Sequence, residues 1–291
     1  MIKTILVATS GTDSDVATLT AALSVARGFA AHLDALHVRL DAVATAAAMA
    51  VDTGAGVLTA GLVDRLEHDA SEREARARDI FARFCAGANL AAASVPTAAA
   101  AAPSAESPSA EFHVEIGDEA RWITAYGTAA DLIVARRGGG EDVPTQSTLE
   151  AALFDTGRPI LIPAAAAMPE SFKRIAIAWK PTPQAARAVA LALPFLMRAE
   201  QVLVVSVEED AESHDTDHLV RNLGWHGFAV TAARVPPGHS GAAASLLAAV
   251  SGRADLLVMG GYGHSRLREW VFGGFTQHVL ADAPLPVLIA H

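Results

Sequence analysis

The amino-acid sequence predicts an α/β chain made of two repeated open parallel five-stranded sheets, each flanked by helices. Three observations carry that prediction. Short, nearly continuous apolar runs alternate with segments of helical period, the pattern of strands covered on both faces by helices. Segments also recur in the same order: Lys3–Ala8 with Lys173–Ala178, Ala130–Val134 with Ala254–Val258, and Pro159–Ile162 with Pro286–Ile289. Finally, 291 residues are enough for two domains of ordinary size. The spacing between matching segments falls from 170 residues at the first pair to 127 at the last, so the first copy holds extra residues in its middle. The expected domains are 1–163 and 171–291, with Ala164–Glu170 as the linker.

In the first copy, strands are expected at Thr4–Thr9, Leu33–Val38, Phe112–Ile116, Leu132–Ala135 and Ile160–Ile162. Helices are expected near Asp15–Phe29, Asp64–Phe84 and Glu119–Tyr126. The extra length falls at Ala42–Gly61 and Ala91–Ala110, both Ala-rich. The second of these holds Pro96, Pro103 and Pro108 and reads as a low-complexity, mobile loop. In the second copy the strands are Arg174–Trp179, Val202–Val207, Phe228–Val235, Leu256–Met259 and Pro286–Ala290. Its helices are Pro183–Met197, Thr216–Leu223, Gly241–Val250 and Thr276–Ala281, with Pro194 expected to strain or end the first.

The composition narrows the function classes. At 52% hydrophobic and 19% charged, the chain is too apolar for global disorder. A net charge of −10 makes it a poor partner for nucleic acid. Cys85 is the only cysteine, which excludes a disulfide scaffold, and its spacing with Phe81 and Phe84 reads as core. The longest apolar stretch, Ala42–Gly61, is mostly Ala and Gly with Asp52 inside, so no membrane span is expected. The start, Met1–Ala8, is too short an apolar run for a signal peptide, and a cytoplasmic location follows as the plain expectation.

The chemistry concentrates after the fourth strand of the second copy. There Met259 and Gly260 open a loop with Gly260, Gly263, Gly273 and Gly274, and a helix begins near Thr276. In an open α/β sheet, ligands bind beyond the carboxyl ends of the strands. Glycines let backbone approach a ligand, consecutive N–H groups form an anion nest, and the helix N-terminus adds partial positive charge. Thr276 is read as the helix cap or as a phosphate contact. Read alone, the spacing also fits a glycine-rich turn that merely joins strand to helix.

The strand–Gly-x2-Gly-x9-Gly–helix arrangement, after Ala254–Gly261 and before Pro286–Ile289, resembles the universal stress protein family, over both halves of the chain. The resemblance implies a tandem member with an adenine-nucleotide α-hydrolase-like, Rossmann-like fold and a stress-response role as a binding or regulatory module. It implies ATP or another adenine nucleotide in the second copy, with Mg2+ only as the nucleotide's companion. It also implies pairing of the two domains through their last strands, Pro159–Ile162 beside Pro286–Ala290, and a homodimer as a further assembly. The sequence departs from the family's nucleotide-holding pattern at three places. Gly274 stands where a Ser or Thr usually follows the third glycine. Lys180 and Ser10 stand where an Asp usually ends the first strand. The first copy has Arg136-Arg137-Gly138-Gly139-Gly140 and no further glycine until Gly157, an eroded loop. Val207 falls where the family contacts adenine, although an apolar residue at a strand end is also ordinary core.

Other constellations are weaker. Gly238-His239-Ser240-Gly241-Ala242 is similar to a hydrolase nucleophile elbow without its final glycine, and Ser240 is expected as a helix cap instead. His214 and His218, with Asp215 and Asp217, have metal-compatible spacing but no third distant ligand, and no metal site is expected. His264, Arg266 and Arg268 lie in or beside the glycine loop, and Glu269 is its nearest carboxylate. With no clear general base and no catalytic residue to name, the reading leans away from an enzyme. Its alternatives are a nucleotide-free interaction scaffold and a slow nucleotide hydrolase.

Overall fold

The computed structural model describes residues 1–52, 60–92, 107–136, 146–164, 168–207, 215–261 and 274–291. The strands are β1 (Thr4–Thr9), β2 (His32–Arg39), β3 (Ala91–Ala92), β4 (Ser109–Ile116), β5 (Leu132–Val134), β6 (Ile160–Ile162), β7 (Arg174–Ala178), β8 (Gln201–Val207), β9 (Val230–Val235), β10 (Leu256–Gly260) and β11 (Val287–Ala290). The helices are α1 (Ser14–Phe29), α2 (Ala42–Asp52), α3 (Ala60–Ala88), α4 (Glu119–Ala129), α5 (Gln146–Glu150), α6 (Pro183–Leu196), α7 (Asp215–Trp225), α8 (Gly241–Val250) and α9 (Gly274–Asp282); a π turn, Ala151–Asp155, continues α5.

The expected parallel, helix-flanked sheets are present, joined edge to edge into one. The strand order is β3-β4-β2-β1-β5-β6-β11-β10-β7-β8-β9. Leaving out the two-residue β3 at the edge, each half runs third, second, first, fourth, fifth in chain order, and the order therefore reverses beside β1 and beside β7. All neighbours are parallel except β6 and β11, where Ile160, Leu161 and Ile162 pair antiparallel with Ile289, Leu288 and Val287. These strands consist of Val, Ile, Leu and Ala and are buried throughout. An edge strand of that composition would expose unpaired backbone, and each of the two gives the other its missing neighbour.

Two apolar layers cover the sheet. One is built on Leu19, Ala22 and Ala26 of α1, Ile80 of α3, Ala188 and Phe195 of α6, and Leu219 and Leu223 of α7. The other is built on Ile123 of α4, Ala152 and Leu153 of the π turn, Leu246 and Val250 of α8, and Val279 of α9. Both layers cross the β6–β11 seam. There the Phe29 and Phe195 rings meet edge to face at 5.4 Å, with the Arg198 guanidinium 4.8 Å over the Phe29 ring.

The repeated Ala-Asp pair has a common job in both halves. Asp131 accepts hydrogen bonds from the Lys3 and Thr4 amides at 2.7 and 3.1 Å. Asp255 accepts from the Arg174 amide at 2.9 Å and from its guanidinium at 2.6 Å. Each aspartate thus ties the start of one strand to the next.

Several expectations need correction. Ala42–Asp52, in the first Ala-rich insertion, is a helix not among those expected; Ala is the strongest helix former and its small side chains pack on α3. α3 extends past Asp64–Phe84 at both ends. β3, α5 and the π turn lack any period long enough to read. Pro194 lies inside α6, which ends two residues later at Leu196. Residues 93–106, most of the second insertion, lie outside the described residues.

Candidate functional site

In the second half the strand register brings three of the singled-out residues to one edge. Ala178 of β7 is level with Val205 of β8 and Met259 of β10. Beyond that level the chain leaves the end of β7 toward Lys180, β8 runs on to Val207 on one side of β7, and β10 ends at Gly260 on its other side. This is the carboxyl edge at the point where strand order reverses, the usual place for a ligand in an open α/β sheet. Lys180 is exposed, Val207 is half-buried against the second apolar layer, and Met259 is 2% exposed and belongs to the core.

Gly260 has a reason to be glycine that involves no ligand. A Cβ there would lie 2.4 Å from the Ala185 amide nitrogen and 2.6 Å from the Gln184 carbonyl carbon. The first turn of α6, capped by Thr182 accepting from the Ala185 amide at 3.3 Å, rests directly on the end of β10. The close approach directs the positive end of α6 toward the same edge. Gly274, by contrast, is exposed, and among the described residues nothing lies within 4 Å of a Cβ placed on it.

Gly274 is already the first residue of α9, so Thr276 is the third and not the cap; it is 6% exposed. Gly263 and Gly273, with His264, Arg266, Arg268 and Glu269, lie outside the described residues, as does His214. Asp217 pairs with Arg234. Ser240 occupies the start of α8 but makes no capping bond, because its backbone (φ −83°, ψ 6°) is not extended. Ser245 accepts from the Gly238 amide at 2.8 Å instead. The matching corner of the first half behaves as expected: Asp118 is extended and accepts from the Arg121 amide at 2.7 Å.

Residues 235–291, from the end of β9 through β11, match the model of the universal stress protein family. By sequence, this segment resembles the universal stress proteins. A universal stress protein from Archaeoglobus fulgidus DSM 4304 superposes with a TM-score of 0.69 at 17% identity, covering 99% of this chain and 95% of its own. A functionally unknown protein from Pseudomonas aeruginosa PAO1 superposes with a TM-score of 0.57 at 16% identity, covering 99% and 92%. The chain as a whole thus has the universal stress protein fold. No curated protein matches it by sequence. Among the described residues no helix is long and apolar enough to cross a membrane.

The first half of this universal stress protein fold has its own cleft, about 740 Å³, at the carboxyl ends of β1, β2 and β5. Ser10, Thr12, His37, Arg39, Glu119 and Arg136 are among its lining residues. Much of its polar surface is already engaged. Asp15, fully buried in the first turn of α1, accepts from the Gly11 amide at 2.7 Å and from the Ser10 amide and hydroxyl at 3.0 Å. These are the backbone N–H groups that a bound anion would use, and Asp15 supplies the anion from within the chain. The Arg136 guanidinium donates to Thr12 and Ser14 across the same turn. Burial pushes the Glu119 carboxyl up, with Arg136 pulling the other way.

Asp15, His37 and Glu119 were not singled out from sequence. Asp15 alone left a trace, as an acid in a first helical turn five residues after Ser10. His37 is 4% exposed and its Nδ1 lies 3.2 Å from the Thr9 carbonyl. Burial lowers its pKa from the usual 6.5, against the carbonyl and the nearby Asp15 and Glu74. The folded protein therefore keeps the ring neutral where the unfolded chain takes up a proton. Its contribution to stability is complete above about pH 6.5 and is lost as pH falls below it. His37→Gln is expected to flatten the decline in urea-denaturation stability between about pH 7 and about pH 5. An unchanged slope would show that other groups set it.

Proposed function

We propose that the chain is a stress-response binding and regulatory module that holds an adenine nucleotide, with Mg2+ as its companion, at the carboxyl edge of the second half. One observation carries this reading. Val207 and Gly260 end the two strands that flank β7, Lys180 follows the end of β7 between them, and the strand order reverses here, with the glycine loop following β10 in sequence and leading to α9. The first half supports the same assignment by contrast, because Asp15 occupies its β1–α1 turn. Lys180 supplies a cation at the edge, Val207 an apolar surface for a base, and the loop and α9 backbone N–H groups for phosphates.

Calorimetry of the full chain with ATP, ADP and AMP tests the reading. Saturable binding of at least one of them is expected at millimolar ligand or below. Gly274→Ser, which has open space for its side chain, is expected to tighten binding about tenfold through one added hydroxyl hydrogen bond. Gly263→Asp is expected to abolish it by placing negative charge in the nest. No binding by the unaltered chain at millimolar nucleotide would leave a nucleotide-free interaction scaffold as the better reading.

A further inference from the structure

Away from both carboxyl edges, the amino ends of β2 and β4 carry a group of titratable side chains on the face that α4 covers. Alternate residues of a strand share a face, and the register sets His32 beside Ser109 and Asp34 beside Glu111, with His113 two residues further along β4. His32 Nε2 lies 3.4 Å from Asp34 Oδ1, and His113 Nε2 lies 3.1 Å from the same oxygen and 4.0 Å from Glu111 Oε2. All four side chains are half-buried. Tyr126 of α4 closes over them, its ring 5.5 Å from that of His113 and its hydroxyl donating to Glu115 at 2.7 Å.

Buried polar atoms in folded proteins nearly always have partners, and two here do not. His32 Nδ1 is engaged with the Ser109 hydroxyl at 2.7 Å. His32 Nε2 and Glu111 Oε2 are shielded from solvent and have no hydrogen-bond partner. One donor atom from each of His32, Asp34 and Glu111 lies within 4.8 Å of the others.

We propose that His32, Asp34 and Glu111 bind one divalent transition-metal ion of the Zn2+ type, with His113 as a positioning residue for Asp34. Two donors at about 2.0–2.2 Å from a tetrahedral zinc lie roughly 3.3 Å apart, and the His32–Asp34 separation of 3.4 Å matches this. An imidazole in the set favours zinc and its neighbours over Mg2+ or Ca2+, which take oxygen ligands. The Ser109 hydroxyl holds the His32 ring by its other nitrogen, the usual arrangement behind a metal-bound histidine. Three protein ligands leave one position for water. The ion supplies the missing partner for both orphaned atoms and ties β4 to β2. The reading is independent of the nucleotide edge, which lies in the other half of the sheet.

The test uses the full chain, stripped with chelator, desalted and titrated with Zn2+ by calorimetry. One ion per chain is expected. His32→Gln and Glu111→Gln, each checked for an unchanged circular dichroism spectrum, are expected to bind at least about 100-fold more weakly. His68→Gln, in an exposed His68–Glu72 pair on α3, is expected to bind as the unaltered chain does. Absence of stoichiometric binding, or equal affinity in both ligand variants, overturns the proposal. Should the variants unfold, the Co2+-loaded unaltered chain decides: strong visible bands of a four-coordinate site support it, and weak octahedral bands overturn it.

Discussion

Gly260→Ala is expected to destabilise the protein by about 3 kcal/mol, read as a lower midpoint in chemical denaturation. Overpacking a core typically costs about 1–3 kcal/mol, and this position falls at the severe end. The added methyl group would sit 2.4 Å from the Ala185 nitrogen and 2.8 Å from its Cα. These are backbone atoms of the first turn of α6, fixed by the Thr182 cap and by Ala188 and Ala192 packed beneath them, so no rotamer change can relieve the contact. Relief requires α6 to lift from the end of β10. Gly274→Ala makes the matched control. Its methyl group meets nothing within 4 Å among the described residues, and an effect within about 0.5 kcal/mol is expected. Equal losses in the two variants would refute the packing account of Gly260.

Asp15→Ala is expected to have a comparable effect, again about 3 kcal/mol. The substitution leaves the Ser10 and Gly11 amides without their acceptor in a turn that is half-buried to buried, and each orphaned donor costs about 1–3 kcal/mol. Gly11 cannot adjust freely, since its φ is +77° and a Cβ there would lie 2.3 Å from the Arg73 carbonyl oxygen. The turn is therefore held between Asp15 and α3. Asp15→Asn, which keeps one acceptor, is expected to lose about half as much. If Asp15→Ala were neutral in stability, the turn would not depend on an internal anion. The contrast between the halves in the nucleotide proposal would then lose its basis. Where the turn does depend on it, Asp15→Ala is also expected to admit inorganic phosphate at the first cleft, measurable by calorimetry.

Much of the fold was legible in the sequence for identifiable reasons. β1, β6 and α8 were read to the residue because each is short, apolar and bounded by a turn residue or a charge. The repeat revealed the equivalent strands; the paired roles of Asp131 and Asp255 at their starts came only from the structure. The insertion helix α2 was not legible because a run of alanine has no amphipathic period, although its composition favours a helix. Ser240 misled because cap preference is a property of residue type, whereas capping depends on a backbone angle that sequence does not report.

The sites divide in the same way. Sequence by itself determined ten of the eleven strand segments seen among the described residues, that they occur twice in one order, and which loop carries the glycines, because periodicity and spacing are local properties of the chain. Only the tertiary structure decided that the two sheets are continuous through β6 and β11, that Gly260 is fixed by α6, and that Asp15 occupies the first copy's turn. It alone brought His32 and Asp34 against Glu111, on strands 77 residues apart in the Cα register. The physical reason is shared by all four. Each depends on the distance between groups that the chain separates widely or on a backbone angle at a turn, and neither quantity is written in the identity of neighbouring residues.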